Sequence, residues 1–149
     1  MSDIAHLGHV EVLTDRYDAS LDFFTRVYGL KLSAEDRASA YLRAWDDYEL
    51  HSLKLTRSER TGVGHIAYRA ASPEALARRV AALEAMGCGL GWSDGDLGHG
   101  AAFQARSPSG HLFELYYDPG ATCRRRTTAR RSRIPPAASP ARHPGGSTT

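Results

Sequence analysis

The sequence lacks any long uncharged apolar run, and it has only two cysteines, Cys88 and Cys123, in 149 residues. No segment approaches the roughly 20 consecutive apolar residues that cross a bilayer, so we expect neither a membrane span nor a membrane partner. The first residues, MSDIAH, lack the basic and apolar regions of a secretory signal. Two cysteines do not build a disulfide framework. We therefore expect a cytoplasmic protein.

Acidic residues are missing from residues 121–149, which hold 7 of the 19 basic residues and none of the 17 acidic ones. This stretch has too few apolar residues to offset the entropy of ordering it, so residues 119–149 are predicted to form a disordered basic tail. Such a tail could attract nucleic acid or anionic lipid, but without aromatic residues we expect no specific nucleic-acid binding. A solvated tail without a role is the interpretation that we favour, and out-of-frame translation of a GC-rich gene is a third.

Residues 1–118 contain an internal repeat. The segment LGHVEV at residues 7–12 recurs as VGHIAY at residues 63–68, and each copy is typical of a strand. A helix is predicted after each copy, over residues 18–28 and 73–86, and a glycine follows each helix. Ser72 is placed as the N-cap of the second helix, with proline at its first helical position.

Three short strands are predicted after each helix. They are residues 30–33, 39–45 and 49–56 in the first copy and residues 89–92, 101–106 and 111–117 in the second. The pattern predicts an α+β fold of two tandem βαβββ modules, residues 7–57 and 62–118, which together form one domain over residues 1–118. Because ~55 residues bury little core alone, we expect the curved mixed sheets of the two modules to pair and enclose a ligand-binding cleft.

Two histidines and one glutamate are the candidate metal ligands. His9 and His65 occupy equivalent positions in the repeat, so a pseudo-twofold relation between the modules brings their side chains together. Glu114 alternates with Phe113 and Leu115 in the last strand, where a buried carboxylate needs a cation or another partner. Two imidazoles and one carboxylate form the facial triad of non-haem Fe(II) oxygenases, and Zn, Mn or Ni could occupy the same ligands.

Each of these residues also has a purely structural interpretation. A single histidine beside a glycine in a strand is more often a core or edge residue with a backbone hydrogen bond than a metal ligand. A strand glutamate often faces solvent in an antiparallel sheet. The occurrence of two histidines at equivalent positions raises the odds of a metal site, and from spacing alone we weigh the two interpretations about equally.

The chain resembles the vicinal oxygen chelate superfamily and, within it, the N-terminal domain of the catechol 2,3-dioxygenase family of type I extradiol dioxygenases. The resemblance covers residues 4–118. Its motifs are LGHVEV at 7–12, AYLRAW at 40–45, ELHSLKL at 49–55, GHIAYR at 64–69 and SPSGHLFELYY at 107–117. It implies Fe(II)-dependent cleavage of a small aromatic diol, in aromatic hydrocarbon catabolism.

The resemblance also implies roles for individual residues. His9, His65 and Glu114 fall at the positions of the family's iron ligands, with Fe(II) as the implied metal. His51 stands where the family has a histidine that moves protons beside the substrate, and its alternative interpretation, which we favour, is a half-exposed strand histidine. Gln104 replaces a tyrosine of the family, and His99 is a candidate for an upstream histidine.

In the resembling enzymes, a second copy of the paired-module domain holds the iron and the substrate. We therefore expect this chain to correspond to an N-terminal domain or a truncated form, with weak or no ring cleavage by itself and with a metal that can be absent. The main alternative is a non-catalytic binding protein of the bleomycin-resistance type, which sequesters an aromatic ligand as a dimer. A structural fragment and a glyoxalase-like isomerase are further alternatives, and a homodimer is expected in several of these cases.

Overall fold

The computed structural model describes residues 2–118, so the predicted tail at residues 119–149 lies outside the described residues. Eight strands and two helices occur in the order strand, helix and three strands, twice over. The elements are β1 (Ile4–Thr14), α1 (Tyr17–Asp22), β2 (Lys31–Glu35), β3 (Ser39–Arg43), β4 (Leu53–Arg57), β5 (Gly62–Ala70), α2 (Pro73–Ala85), β6 (Gly89–Ser93), β7 (Ala102–Arg106) and β8 (Leu112–Tyr116). No helix of residues 2–118 is long and apolar enough to span a bilayer.

The eight strands form one continuous mixed sheet in the order β2-β3-β4-β1-β5-β8-β7-β6. The antiparallel pairing of β1 with β5 joins the two halves at the centre. Within each half the first strand pairs in parallel with the last one, β1 with β4 and β5 with β8. The α+β class and the curved mixed sheet are confirmed. The division into modules at residues 7–57 and 62–118 stays a prediction.

The first helix changes its hydrogen-bond pattern part-way along. Its α-helical part, α1, continues as a single π-helical turn over Phe23–Val27. The hydroxyl of Thr25 donates to the carbonyl oxygen of Leu21 at 2.7 Å, which competes with the regular backbone bond at that carbonyl. Gly29, with a φ of 90°, then ends the helical segment close to the predicted boundary.

The second helix, α2, follows its sequence signals closely. The Ser72 side-chain oxygen accepts a hydrogen bond from the backbone N–H of Ala75 at 3.1 Å, as a helix N-cap does. Pro73 occupies the first helical position, where the missing N–H costs nothing. Gly87, with a φ of 70°, follows the last turn. The capping signals therefore predict both ends of this helix.

The predicted strand at residues 49–56 is shorter in the structure, because β4 begins at Leu53. The Asp47 carboxylate accepts hydrogen bonds from the backbone of Ala44 and the hydroxyl of Ser52, which closes a loop between β3 and β4. This loop removes His51 from the strand and leaves it just before β4.

The two faces of the sheet differ in character. On the helix side of the first half, Tyr17 of α1 packs with Ala40 and Leu55 in a buried apolar cluster. The opposite face, which we call the inner face, carries the repeated histidines and Glu114 among buried polar side chains. The fold therefore places its buried histidines and Glu114 on the side away from the helices.

A candidate metal centre on the inner face

Four buried histidines meet on the inner face, and we call His9, His51, His65 and His99 the histidine cluster. The Nε2 atoms of His9, on β1, and His65, on β5, lie 2.8 Å apart. His9 is 2% exposed and His65 is 6% exposed. The rings of His51 and His99 lie 4.5 and 5.3 Å from that of His9, centroid to centroid. The repeat therefore brings its two histidines into direct contact, as predicted.

Each repeated histidine follows a glycine whose missing side chain leaves room for a neighbour. A Cβ on Gly8 would overlap the Tyr116 hydroxyl, and a Cβ on Gly64 would overlap the Glu11 carboxylate. Glu11 in turn accepts a hydrogen bond from Nδ1 of His65 at 3.0 Å. This contact places the proton on Nδ1, so Nε2 of His65 accepts the hydrogen bond from Nε2 of His9. A metal ion bound to this lone pair would replace that hydrogen bond, as in carboxylate–histidine–metal arrangements.

Glu114 lies beside His65 on the inner face. Its Oε2 atom is 3.6 Å from Nε2 of His65, and its Oε1 atom accepts a hydrogen bond from the Gln104 amide at 2.8 Å. The residue is 5% exposed, so the alternative of a solvent-facing strand glutamate is wrong. The structure thus places His65 in contact with both other predicted ligands, His9 and Glu114. Their role as metal ligands stays a prediction.

His51 and His99 are both more enclosed than the sequence suggested. His51 is 2% exposed and precedes β4, so the interpretation as a half-exposed strand histidine is wrong. Neither of its ring nitrogens has a hydrogen-bond partner among residues 2–118. His99 is 7% exposed, and its backbone N–H donates to the carbonyl oxygen of Asp96 at 3.1 Å. The role of His51 in moving protons stays a prediction.

Burial keeps two members of the histidine cluster neutral at pH 7. Loss of hydration, reinforced by the neighbouring histidines, lowers the pKa of His9 to about 2. Burial lowers the pKa of His51 to about 4, with a smaller opposing effect from Asp96. A neutral imidazole is the form that binds a metal ion. These rings are therefore available as donors without first losing a proton.

Carboxylates outnumber ammonium groups around the histidine cluster. Lys54 lies between two acids, with its Nζ atom 2.6 Å from Oδ2 of Asp96 and 3.5 Å from Oε1 of Glu11. Burial alone raises the pKa of Glu11, but hydrogen bonds from His65 and Thr56 and the charge of Lys54 lower it to about 2. Glu114 is a third carboxylate within the same group of side chains. This excess of acid suits a cation.

Lys54 holds the place in the first half that Glu114 holds in the second. In β4 it follows Leu53, the partner of Val10, whereas in β8 Glu114 follows Phe113, the partner of Ile66. Val10 and Ile66 themselves follow the two repeated histidines. One half therefore presents a carboxylate and the other a lysine ammonium to the same inner face.

The donor set fits a divalent metal ion, but the space beside His9, His51 and His99 has no room for a substrate. One ligand atom each from His9, His99 and Glu114 lies within 4.8 Å of the others, and the same holds for His9, His51 and Asp96. Neutral imidazoles and carboxylates are the donors that Fe(II), Mn(II) and Zn(II) accept. The space between His9, the loop before β4, the loop before β7 and Tyr116 is too small to admit a water molecule. Side chains fill the predicted cleft at this point.

Sequence reasoning missed three charged residues of the inner face: Glu11, Lys54 and Asp96. Glu11 was detectable, because period-two alternation places it on the same face of its strand as His9. Lys54 depends on the pairing of β1 with β4, which sets Glu11 opposite it. Asp96 lies in the loop between β6 and β7, where no periodic pattern of residues predicts which way its side chain faces.

Comparison with known proteins agrees with this architecture. The family model for the glyoxalase/bleomycin resistance protein/dioxygenase superfamily matches residues 6–115. The chain belongs to this superfamily. The match includes both repeated histidines and Glu114, so the histidine cluster lies within the superfamily domain.

Among curated members of the superfamily, a metapyrocatechase from Geobacillus stearothermophilus is 46% identical over 116 residues, which are 78% of this chain and 36% of that protein. A manganese-dependent 2,3-dihydroxybiphenyl 1,2-dioxygenase from Geobacillus genomosp. 3 is 36% identical over 119 residues, 78% of this chain and 38% of that protein. The chain therefore spans little more than a third of the length of the curated relatives that it matches.

Solved structures of ring-cleaving dioxygenases in the superfamily have the same fold. A mutant homoprotocatechuate 2,3-dioxygenase from Brevibacterium fuscum is 28% identical, with a TM-score of 0.74 over 79% of this chain and 33% of that chain. The native homoprotocatechuate 2,3-dioxygenase from Arthrobacter globiformis is 26% identical, with a TM-score of 0.74 over 78% of this chain and 37% of that chain. The matched region is thus about a third of the length of each enzyme.

Proposed function

We propose that this chain is a domain of an extradiol ring-cleaving dioxygenase that acts on a small aromatic diol, and that its inner face binds one divalent metal ion. The observation that carries the proposal is the convergence of His9, His65 and Glu114 in a chain 46% identical to a metapyrocatechase. Fe(II) is the first choice of metal. Mn(II) is the second, because one relative is named as manganese-dependent.

The proposed ligands are the Nε2 atoms of His9 and His65 and the carboxylate of Glu114. When bound, such an ion orients an aromatic diol and dioxygen for ring opening. Glu11 holds His65 in the tautomer that presents Nε2, and Gln104 fixes the Glu114 carboxylate. Neither ring nitrogen of His51 has a protein partner among the described residues, which leaves one of them free to hydrogen-bond a substrate hydroxyl.

We further propose that this chain alone cleaves catechols weakly or not at all. The space lined by His9, His51, His99 and Tyr116 is too small for an aromatic ring. The Gln104 amide also occupies one oxygen of Glu114. Substrate binding by this site would require side chains to move outward before a diol could enter.

Metal loading tests the binding part of the proposal. Metal-free chain is incubated anaerobically with Fe(II), desalted and assayed for iron, with Mn(II) in parallel. We expect one ion per chain, and we expect Glu114→Gln to weaken binding by about tenfold or more because a charged ligand is lost. Glu59→Gln, an exposed carboxylate outside the inner face, is the matched control and should bind like wild type. Iron content near zero in the loaded wild type would refute the site.

A catechol assay tests the catalytic part, with the coloured ring-cleavage product as the readout. We expect little or no product from the iron-loaded chain. Rapid turnover that disappears in His65→Ala would show that the inner face opens to substrate, and it would refute the proposal that this chain alone is inactive.

A non-catalytic binding protein is the second candidate function, and a cavity on the helix side of the sheet favours it. This cavity of about 350 Å3 lies between α2 and the second half of the sheet, with Tyr68, Leu83 and Phe113 among its mostly apolar walls. A flat aromatic ligand would fit these walls. Calorimetric titration with naphthalene tests it: binding that Leu83→Trp abolishes supports this function, and absence of binding refutes it.

A further inference from the structure

We propose that His99 is a third histidine ligand of the metal ion, so that three imidazoles and one carboxylate hold it. This inference rests on the proposed function, because it concerns the same metal centre. It extends the predicted set of His9, His65 and Glu114 by one residue that arrives from a loop rather than from the sheet.

The ring of His99 is held in place from both sides. It stacks on Tyr116 with centroids 4.3 Å apart and an interplanar angle of 20°, and on His9 with centroids 5.3 Å apart and an angle of 29°. The loop that carries His99 is fixed by the backbone bridge to Asp96. His99 is therefore a positioned side chain, although its segment is rich in glycine.

The tautomer of His99 leaves a lone pair on its buried Nε2 atom. Nδ1 lies 2.9 Å from the carbonyl oxygen of Gly100, which can only accept, so in the neutral ring the proton sits on Nδ1. Nε2 then carries the lone pair. It is buried and has no hydrogen-bond partner within residues 2–118.

An unpartnered ring nitrogen in this position needs an explanation, because buried polar atoms in folded proteins are nearly always satisfied. The adjacent space is too small for a water molecule. The lone pair of this nitrogen can be satisfied by a proton or by a metal ion. One ligand atom of His99 lies within 4.8 Å of ligand atoms of His9 and Glu114. A metal ion shared with these two residues satisfies the nitrogen.

A fourth protein ligand changes what the ion can do. A facial triad leaves three of six octahedral positions open, enough for both oxygens of a diol and for dioxygen. With His99 bound, only two positions remain, which is too few for all three atoms. His99 therefore makes this centre a tighter metal holder and a poorer catalyst than a centre with three ligands.

X-ray absorption of the full chain loaded with one equivalent of Zn(II), an air-stable probe, counts the imidazoles directly. We expect three in wild type and two in His99→Phe, which keeps an aromatic ring between His9 and Tyr116 but has no ligand atom. Competition with a chelator should show Zn(II) affinity reduced about tenfold or more in His99→Phe. His111→Phe, at an exposed histidine in the turn before β8, is the matched control and should bind like wild type.

The outcomes separate this inference from the proposed function. Two imidazoles in wild type, with His99→Phe binding as tightly as wild type, would overturn the role of His99 and leave the metal centre standing. No Zn(II) binding by wild type would overturn both. If His99→Phe does not fold, His51→Phe decides the question: three imidazoles retained in this variant support His99 as the third ligand, and a fall to two would assign that role to His51 and overturn the inference.

Discussion

Acid should destabilise the metal-free protein well above the pH at which its carboxylates titrate. The folded pKa of His9 is about 2 and that of His51 about 4, whereas both histidines titrate near 6.5 in the unfolded chain. Below pH 6.5 the two histidines therefore bind protons in the unfolded state but not in the folded state. The free energy of unfolding falls by about 1.4 kcal/mol per pH unit for each histidine. At pH 5 this amounts to about 2 kcal/mol for His9, and slightly less for His51.

Denaturant unfolding measures this loss. The chain is kept metal-free with a chelator, and urea titrations are followed by circular dichroism at half-unit steps from pH 7 to pH 5. Glu11 does not contribute in this range, because its stabilisation is lost only as pH falls below about 4.5 toward its folded pKa of about 2. His51→Phe keeps the ring volume and should remove about half of the pH dependence, whereas His111→Phe, at an exposed histidine, should leave it unchanged.

Equal stability at pH 7 and pH 5 would refute the reasoning, because it would mean that the buried rings accept protons without cost. A pH dependence that persists in full in His51→Phe would assign the effect to other groups.

Three further predictions concern the same face of the sheet. Gly64→Ala should lower the free energy of unfolding by about 2 kcal/mol in thermal melts, because its Cβ would overlap the partly buried Glu11 carboxylate. A Cβ on Gly100 would meet only the Cβ of Asp118 at an ordinary contact distance, so Gly100→Ala should change little. Lys54→Met should lower the free energy of unfolding in urea by about 3–5 kcal/mol, because it leaves the carboxylates of Glu11 and Asp96 without their cation. Arg26→Ala breaks an exposed ion pair and should lower it by at most about 1 kcal/mol. Gln104→Leu should weaken metal affinity about tenfold by chelator competition, and unchanged affinity would contradict its proposed support of the glutamate ligand.

The fold was largely predictable because its signals are local. The cap at Ser72, the glycine after each helix and the repeated strand motif each define an element without knowledge of the rest of the chain. The start of β4 was not predictable in the same way. It depends on the hydrogen bonds that the Asp47 carboxylate accepts from the backbone N–H of Ala44 and the hydroxyl of Ser52, which close the loop before β4. The pattern of apolar residues does not predict these bonds.

The histidines that the internal repeat places at equivalent positions could be predicted to meet. The site residues that lie in loops could not be predicted. The equivalence of His9 and His65 was enough to predict their contact across β1 and β5. The burial of His99 depends on stacking against Tyr116, a contact between a loop and the last strand that single-sequence patterns do not encode. The role of Lys54 could be recognised only from the strand register, because the register places Glu11 opposite it.

The pairing of Lys54 with Asp96 and Glu11 has a consequence for the stability of the sheet when the proposed metal ion is scarce. A lysine is a cation that the chain carries with it, so no chelator can remove it and no change in the supply of ions can alter its occupancy. The half of the inner face that contains Lys54 thus has part of its negative charge balanced from the moment the chain folds. In the proposed metal centre, the half with Glu114 takes its cation from the surroundings. Metal starvation should therefore loosen β8 and its neighbours first, while the strands around Lys54 keep their order.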